Sequence, residues 1–157
     1  MTSPDPIMEA IGEAVEAGRA GDPTAAREEL LRLWSTTGDP LHRCTLAHYL
    51  ADFHDDPAQA LTWDIRALDA ADALTEQRVQ QHHTGLQIDG FYPSLHLNLA
   101  DNYRRLGSFE AAEEHIDAAR SHAPNLPDTP YGDLIRGAIH GVGEAIERRD
   151  RTRRTSV

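Results

Sequence analysis

The sequence contains no lysine: all 15 of its basic residues are arginine. That absence excludes Schiff-base and pyridoxal-phosphate chemistry and the lysine of a phosphate-binding loop. A single cysteine, Cys44, excludes an internal disulfide and any zinc site built on several thiolates. No apolar run approaches the ~20 residues of a membrane span. The stretch from Met1 to Pro6 lacks the basic-then-apolar order of a secretion signal. There is no Gly-x-Ser-x-Gly elbow, no glycine-rich phosphate loop after a strand, and no strand-like alternation. The expectation is a cytoplasmic protein without membrane contact, and the lysine-free, alanine- and arginine-rich composition suggests a GC-rich bacterial genome.

Acidic residues dominate. The 157 residues include 26 Asp and Glu, for a formal net charge of −11. Between Arg148 and Arg154 five arginines face only Asp150, a local +4, which leaves −15 on residues 1–147. So acidic a body repels a phosphate backbone, so no nucleic-acid partner is expected. The basic stretch reads as a cationic last helical turn, favourable against the helix dipole, followed by a flexible tail over 151–157.

The most informative feature is a spacing. Asp-Pro occurs at Asp5-Pro6, Asp22-Pro23, Asp39-Pro40 and Asp56-Pro57, each pair 17 residues after the last. An aspartate N-cap accepts orphan backbone N–H groups, and proline suits the next position because its missing N–H would be unpaired there. The spacing predicts four successive helices of ~14 residues joined by tight turns. Gly21 and Gly38 precede two of the caps, where a chain leaving a helix favours positive φ. Two such helices form a hairpin with a 34-residue period. The 22 alanines suit close helix approach.

Residues 93–124 repeat this plan with a fuller set of marker residues. Leu99, Ala100, Tyr103, Leu106 and Gly107 lead into Phe109, Ala112, Ile116, Ala119 and Pro124. This stretch resembles a tetratricopeptide repeat: the first five residues match the family's first helix and turn, the second five its second helix and terminator. His96 stands where the family has a large aromatic. Residues 41–71 resemble a degraded copy (Leu46, Ala47, Leu50, Phe53, then Ala60 and Ala67), and residues 7–37 a weaker one (Ile7, Ile11, Ala14, then Ala26, Leu30, Leu33 and Trp34).

The predicted fold is therefore all-α: one domain over 1–150, a right-handed superhelical stack of about three antiparallel hairpins. The hairpins span about 6–37, 40–74 and 92–124, with a helical insert at 75–91. A capping helix over 133–149 carries Leu134, Ala138, Val142, Ala145 and Ile146 on one face. Gly137 and Gly141 on it are expected to pack closely onto the preceding helix.

The resemblance implies that first helices line a concave, ligand-binding wall. Cys44, His48 and Asp52 are then expected to line it in the second hairpin, and Leu97, Asn98, Asp101, Arg104 and Arg105 in the third. Asn98 is the asparagine that peptide-binding members use to hold a ligand, and Arg105 replaces their lysines as a bidentate partner for a carboxylate. The leading expectation is a non-catalytic protein- or peptide-binding module that needs no cofactor. One alternative is a small-molecule or metal-dependent enzyme. There His48 and Asp52, one turn apart, join Asp101 and the insert's His82 and His83 around a metal or hydrolytic pocket closed by residues 75–91. A second alternative is a self-associating scaffold. Cys44 and His48 also stand one turn apart, but a helical cysteine beside leucine and alanine reads as a packing residue.

Overall fold

The computed structural model describes residues 4–80 and 90–154, with the side chains of 78–80 excepted. Among these the chain is helical throughout its regular structure, with no strand. The order is α1 (Pro6–Arg19), α2 (Pro23–Thr36), α3 (Pro40–Asp52), α4 (Pro57–Gln80), α5 (Tyr92–Arg105), α6 (Phe109–His122) and α7 (Pro130–Glu147). A 3-10 turn, Ala123–Asn125, follows α6. No described helix is long and apolar enough to cross a membrane.

Each of the four Asp-Pro pairs starts a helix, and each aspartate caps it with Oδ1. Asp5 accepts from the Ile7 and Met8 amides at 2.9 and 3.3 Å, Asp22 from Ala25 at 3.0 Å, Asp39 from Leu41 at 2.8 Å and Asp56 from Ala58 at 2.9 Å. Gly21 has the positive φ (141°) expected after α1, whereas Gly38 does not; α2 ends in extended Thr37 (φ −115°), so the chain needs no left-handed residue there. Gly107 turns α5 into α6 at φ 82°, and the Ser108 amide reaches back to the Tyr103 carbonyl at 2.8 Å, closing the last turn of α5.

The chain forms two compact units, Met1–Leu74 and Thr75–Val157, with α4 running across the boundary. In the first, α1 packs on α2 and both pack on α3. Ile11, Val15, Leu30, Leu33, Leu46 and Leu50 are buried. The closest approach is at Gly18, where an added Cβ would lie 2.6 Å from both Ala26 and the Phe53 ring. In the second unit α5, α6 and α7 each touch the other two. Leu97, Ala100, Ala112, Ile116, Ile139, Val142 and Ile146 share its core.

The start of the insert, helix-compatible in sequence, prolongs α4 to Gln80. Other details depart from expectation. The last helix begins at Pro130 rather than Asp133, since Thr129-Pro130 repeats the cap chemistry, Thr129 Oγ1 accepting from the Gly132 amide at 3.3 Å. Its inward face carries Ile139 in place of Leu134, which is 42 % exposed. Gly137 faces open space and Gly141 faces Arg154; Gly143 is the glycine that lets α7 close on Ile116 and Arg120 of α6. The stretch after α7 is not a loose end up to Arg154, because it folds back onto α5 and α7.

Candidate functional site

Helix α5 presents a polar stripe. Asn98, Asp101 and Arg105, at helical spacings of three and four, are half-buried, while Leu97 and Arg104 are buried. The burial follows from neighbours on two sides, α6 and α7, which leave only a narrow face of α5 uncovered. Leu97 thus belongs to the core instead of a ligand-lining wall.

Arg104 is fully buried, at 0 % exposure, and its guanidinium is divided between two tasks. Nε and Nη2 donate to Asp101 Oδ1 at 3.0 and 2.7 Å. Nη1 donates to the main-chain carbonyls of Asp150 and Thr152 at 2.6 and 2.8 Å. One donor nitrogen reaches carbonyls two residues apart because the chain bends at Thr152, so Arg104 grips a turn of peptide backbone. The grip has helpers. Arg151 Nε donates to the Arg105 carbonyl at 3.2 Å and its guanidinium rests against Gly107, while Arg154 lies on Gly141. Asp150 Oδ1 accepts from the Thr152 amide at 2.8 Å, which with nearby arginines holds its carboxyl below the usual range. Beside Gly107 an open depression is lined by Phe109, Glu110 and Glu114.

On the α5–α6 seam lies a ladder of rings. Tyr92 and His122 are 5.1 Å apart, His122 and His96 5.7 Å, and Tyr103 and His115 5.5 Å. His96 and His115 join across it, Nδ1 to Nδ1, at 3.1 Å. His96 is thus a ring of the ladder that also bonds across the seam. Burial pushes the His115 imidazole below its ordinary value, opposed by nearby Glu114.

In the first unit His48 is half-buried and Asp52 exposed on α3, with Arg19 of α1 over the Tyr49 ring at 5.9 Å. Surrounding protein lifts the Asp52 carboxyl above its ordinary value against the pull of His48 and Arg19. Cys44 is buried, not wall-lining, and burial pushes its thiol up to about 11, which leaves no thiolate for nucleophilic work.

Sequence reasoning missed two arrangements. Asp5 Oδ2 meets His42 Nε2 at 2.7 Å while His42 Nδ1 meets Thr37 Oγ1 at 2.9 Å, so one aspartate caps α1 and ties it to α3. The other is the clamp on residues 150–152. Neither has a sequence signal, since the partners lie 37 and about 46 residues apart with no periodic relation.

Among the described residues no group of three or more His, Cys, Asp and Glu could hold a metal. His82 and His83, which the enzyme alternative brings to His48, Asp52 and Asp101, lie outside the described residues. No family model, curated protein or solved structure matches the chain.

Proposed function

We propose that the chain is a non-catalytic protein- or peptide-binding module made of helical hairpins of tetratricopeptide kind. Its ligand is an extended peptide laid along α5, met by Asn98, Asp101 and Arg105. The observation that carries this reading is Arg104: a guanidinium wholly inside the protein donates to two main-chain carbonyls, those of Asp150 and Thr152. A buried charge is costly unless its hydrogen bonds are met, so a site that meets them with main-chain carbonyls is suited to recognising peptide backbone. A helical scaffold adds rigidity, so that ordering costs fall on the peptide alone.

The test is a screen of the full chain against a library of extended seven-residue peptides with free carboxylates, followed by Asn98→Ala and Arg105→Ala. The expected result is a loss of affinity of about tenfold for each variant, the size of one good hydrogen bond to a charged group, with melting temperature unchanged. Loss of fold instead, or binding indifferent to both substitutions, defeats the reading.

A further inference from the structure

The segment after α7 is held as a bound peptide is held, not as a core element is. Residues 151–154 are all exposed, so no apolar side chain anchors them. They leave α7 through Arg149, whose φ of 57° is left-handed, a conformation that residues with a Cβ rarely take. What keeps them in place is fixed polar equipment in the second unit. Arg104 holds the carbonyls of Asp150 and Thr152, and the Arg105 carbonyl accepts from Arg151. The two arginines rest on glycines, whose missing side chains let the guanidinium groups lie close to the helix surface. A Cβ on Gly107 would stand 3.3 Å from the Arg151 guanidinium, and one on Gly141 would overlap that of Arg154.

We infer that this trough over the end of α5, floored by Arg104 and edged by Gly107 and Gly141, is a binding site for a turned peptide segment carrying arginines three residues apart, which residues 150–154 occupy in cis. The inference rests on the peptide-binding reading above and names its ligand class. Main-chain carbonyls supply the grip, which any sequence offers. Selectivity comes from the two glycine-bounded arginine positions, from Glu110 and Glu114 beside Gly107, and from the −15 carried by residues 1–147. A few polar contacts scarcely outweigh the ordering of an exposed segment, so the occupant is exchangeable. Its short tether gives it a high effective concentration, which an outside ligand must overcome. The segment is in this sense a built-in competitor.

The test keeps the chain whole and redirects the segment. Proline cannot adopt the φ of Arg149, and it is well tolerated just past a helix end, so Arg149→Pro redirects residues 150–154, giving up the Arg149 bonds to Glu113 and the Ile146 carbonyl but none within α7 up to Glu147. The probe is a fluorescein-labelled peptide of residues 150–157, followed by anisotropy, with trypsin cleavage after Arg151, Arg153 and Arg154 reporting release of the cis segment. Arg149→Pro is expected to be cleaved faster and to bind the probe at least tenfold more tightly than wild type. Adding Arg104→Leu should abolish that gain, and the probe with both corresponding arginines replaced by serine should bind weakly. A released segment without probe binding overturns the inference, and so does a gain indifferent to Arg104. A segment as protected in Arg149→Pro as in wild type overturns it too, since what cannot be displaced is not an occupant. Should Arg149→Pro lose helicity, Arg151→Ala with Arg154→Ala, which alters no helix, takes its place, with probe binding and cleavage after Arg153 as the readouts. Failure here with retained library binding that depends on Asn98 and Arg105 leaves the broader reading standing.

Discussion

His96 and His115 share a proton edge to edge. Their Nδ1 atoms are 3.1 Å apart and their ring centres 5.3 Å apart, with the planes 26° from parallel. A ring nitrogen lies about 1.1 Å from its own ring centre, so the two centres and two nitrogens fall nearly on one line. The rings meet by their rims and do not stack. One imidazole donates and the other accepts, an arrangement that a second added proton destroys because both nitrogens would then carry hydrogen.

That geometry makes the second unit acid-sensitive in a stated direction. Burial lowers the His115 value in the folded chain, so the unfolded chain binds its proton more readily. The contribution to stability is whole above the ordinary histidine value of about 6.5 and is lost as pH falls below it. Urea midpoints measured from pH 8 to 5 should fall more steeply for wild type than for His115→Gln, which can still bond His96 but does not titrate there. Parallel slopes would show that the pair carries no such linkage.

A second prediction concerns packing in the first unit. Gly18→Ala places a methyl 2.6 Å from Ala26 and from the Phe53 ring, a distance that forces α1 away from α2. Overpacking of this kind costs about 1–3 kcal/mol, and the usual gain of alanine over glycine inside a helix, roughly 1 kcal/mol, does not offset it. Denaturant unfolding should show a net loss; a gain in stability would mean that the crossing can open at no cost.

How much of this the sequence disclosed depends on the range of the forces involved. Helix starts were legible because Asp5, Asp22, Asp39 and Asp56 each act on amides two or three residues away, so the spacing of the pairs is the spacing of the helices. The half-buried stripe of Asn98, Asp101 and Arg105 was legible for the same reason, being one helix read at its own period. Arg104 was not. Periodicity places it next to that stripe, but its burial is decided by a segment about 46 residues away whose backbone, not its side chains, makes the contact. Leu97 and Cys44 were assigned to a surface because pattern alone cannot tell how many sides of a helix its neighbours cover. The ring ladder was half visible: His96 stood out where the resemblance led to the expectation of a large aromatic, but nothing showed that His115 and His122 answer it from α6.

Cys44 should be inert in the native chain. Its thiol is buried and pushed up to about 11, so at pH 8 almost none is thiolate and reagents cannot reach it. Titration with a disulfide reagent at that pH is expected to proceed within minutes in denaturant and only at the rate of unfolding without it. Rapid native labelling would place Cys44 on an accessible wall and revive the surface role that its burial removes.

The link between Asp5 and His42 offers a test of how the first unit is closed. Asp5 lies below its ordinary value first because of the hydrogen bond from His42, helped by the Met8 and Ile7 amides. A carboxylate held low in the folded state adds stability above its unfolded value of about 3.9, and that addition is lost as pH falls through the folded value. Asp5→Asn keeps a capping oxygen for α1 but gives up the charge opposite His42, so it isolates the tie between α1 and α3. At pH 7 the variant should melt below wild type. The gap should narrow as the pH is lowered past 4, once the wild-type carboxylate is itself protonated. His42→Ala should reproduce the pH 7 loss and remove any further effect of Asp5→Asn, since the two residues then have no partner in common. If the two losses instead add, the contact at 2.7 Å contributes nothing and Asp5 acts through its cap alone.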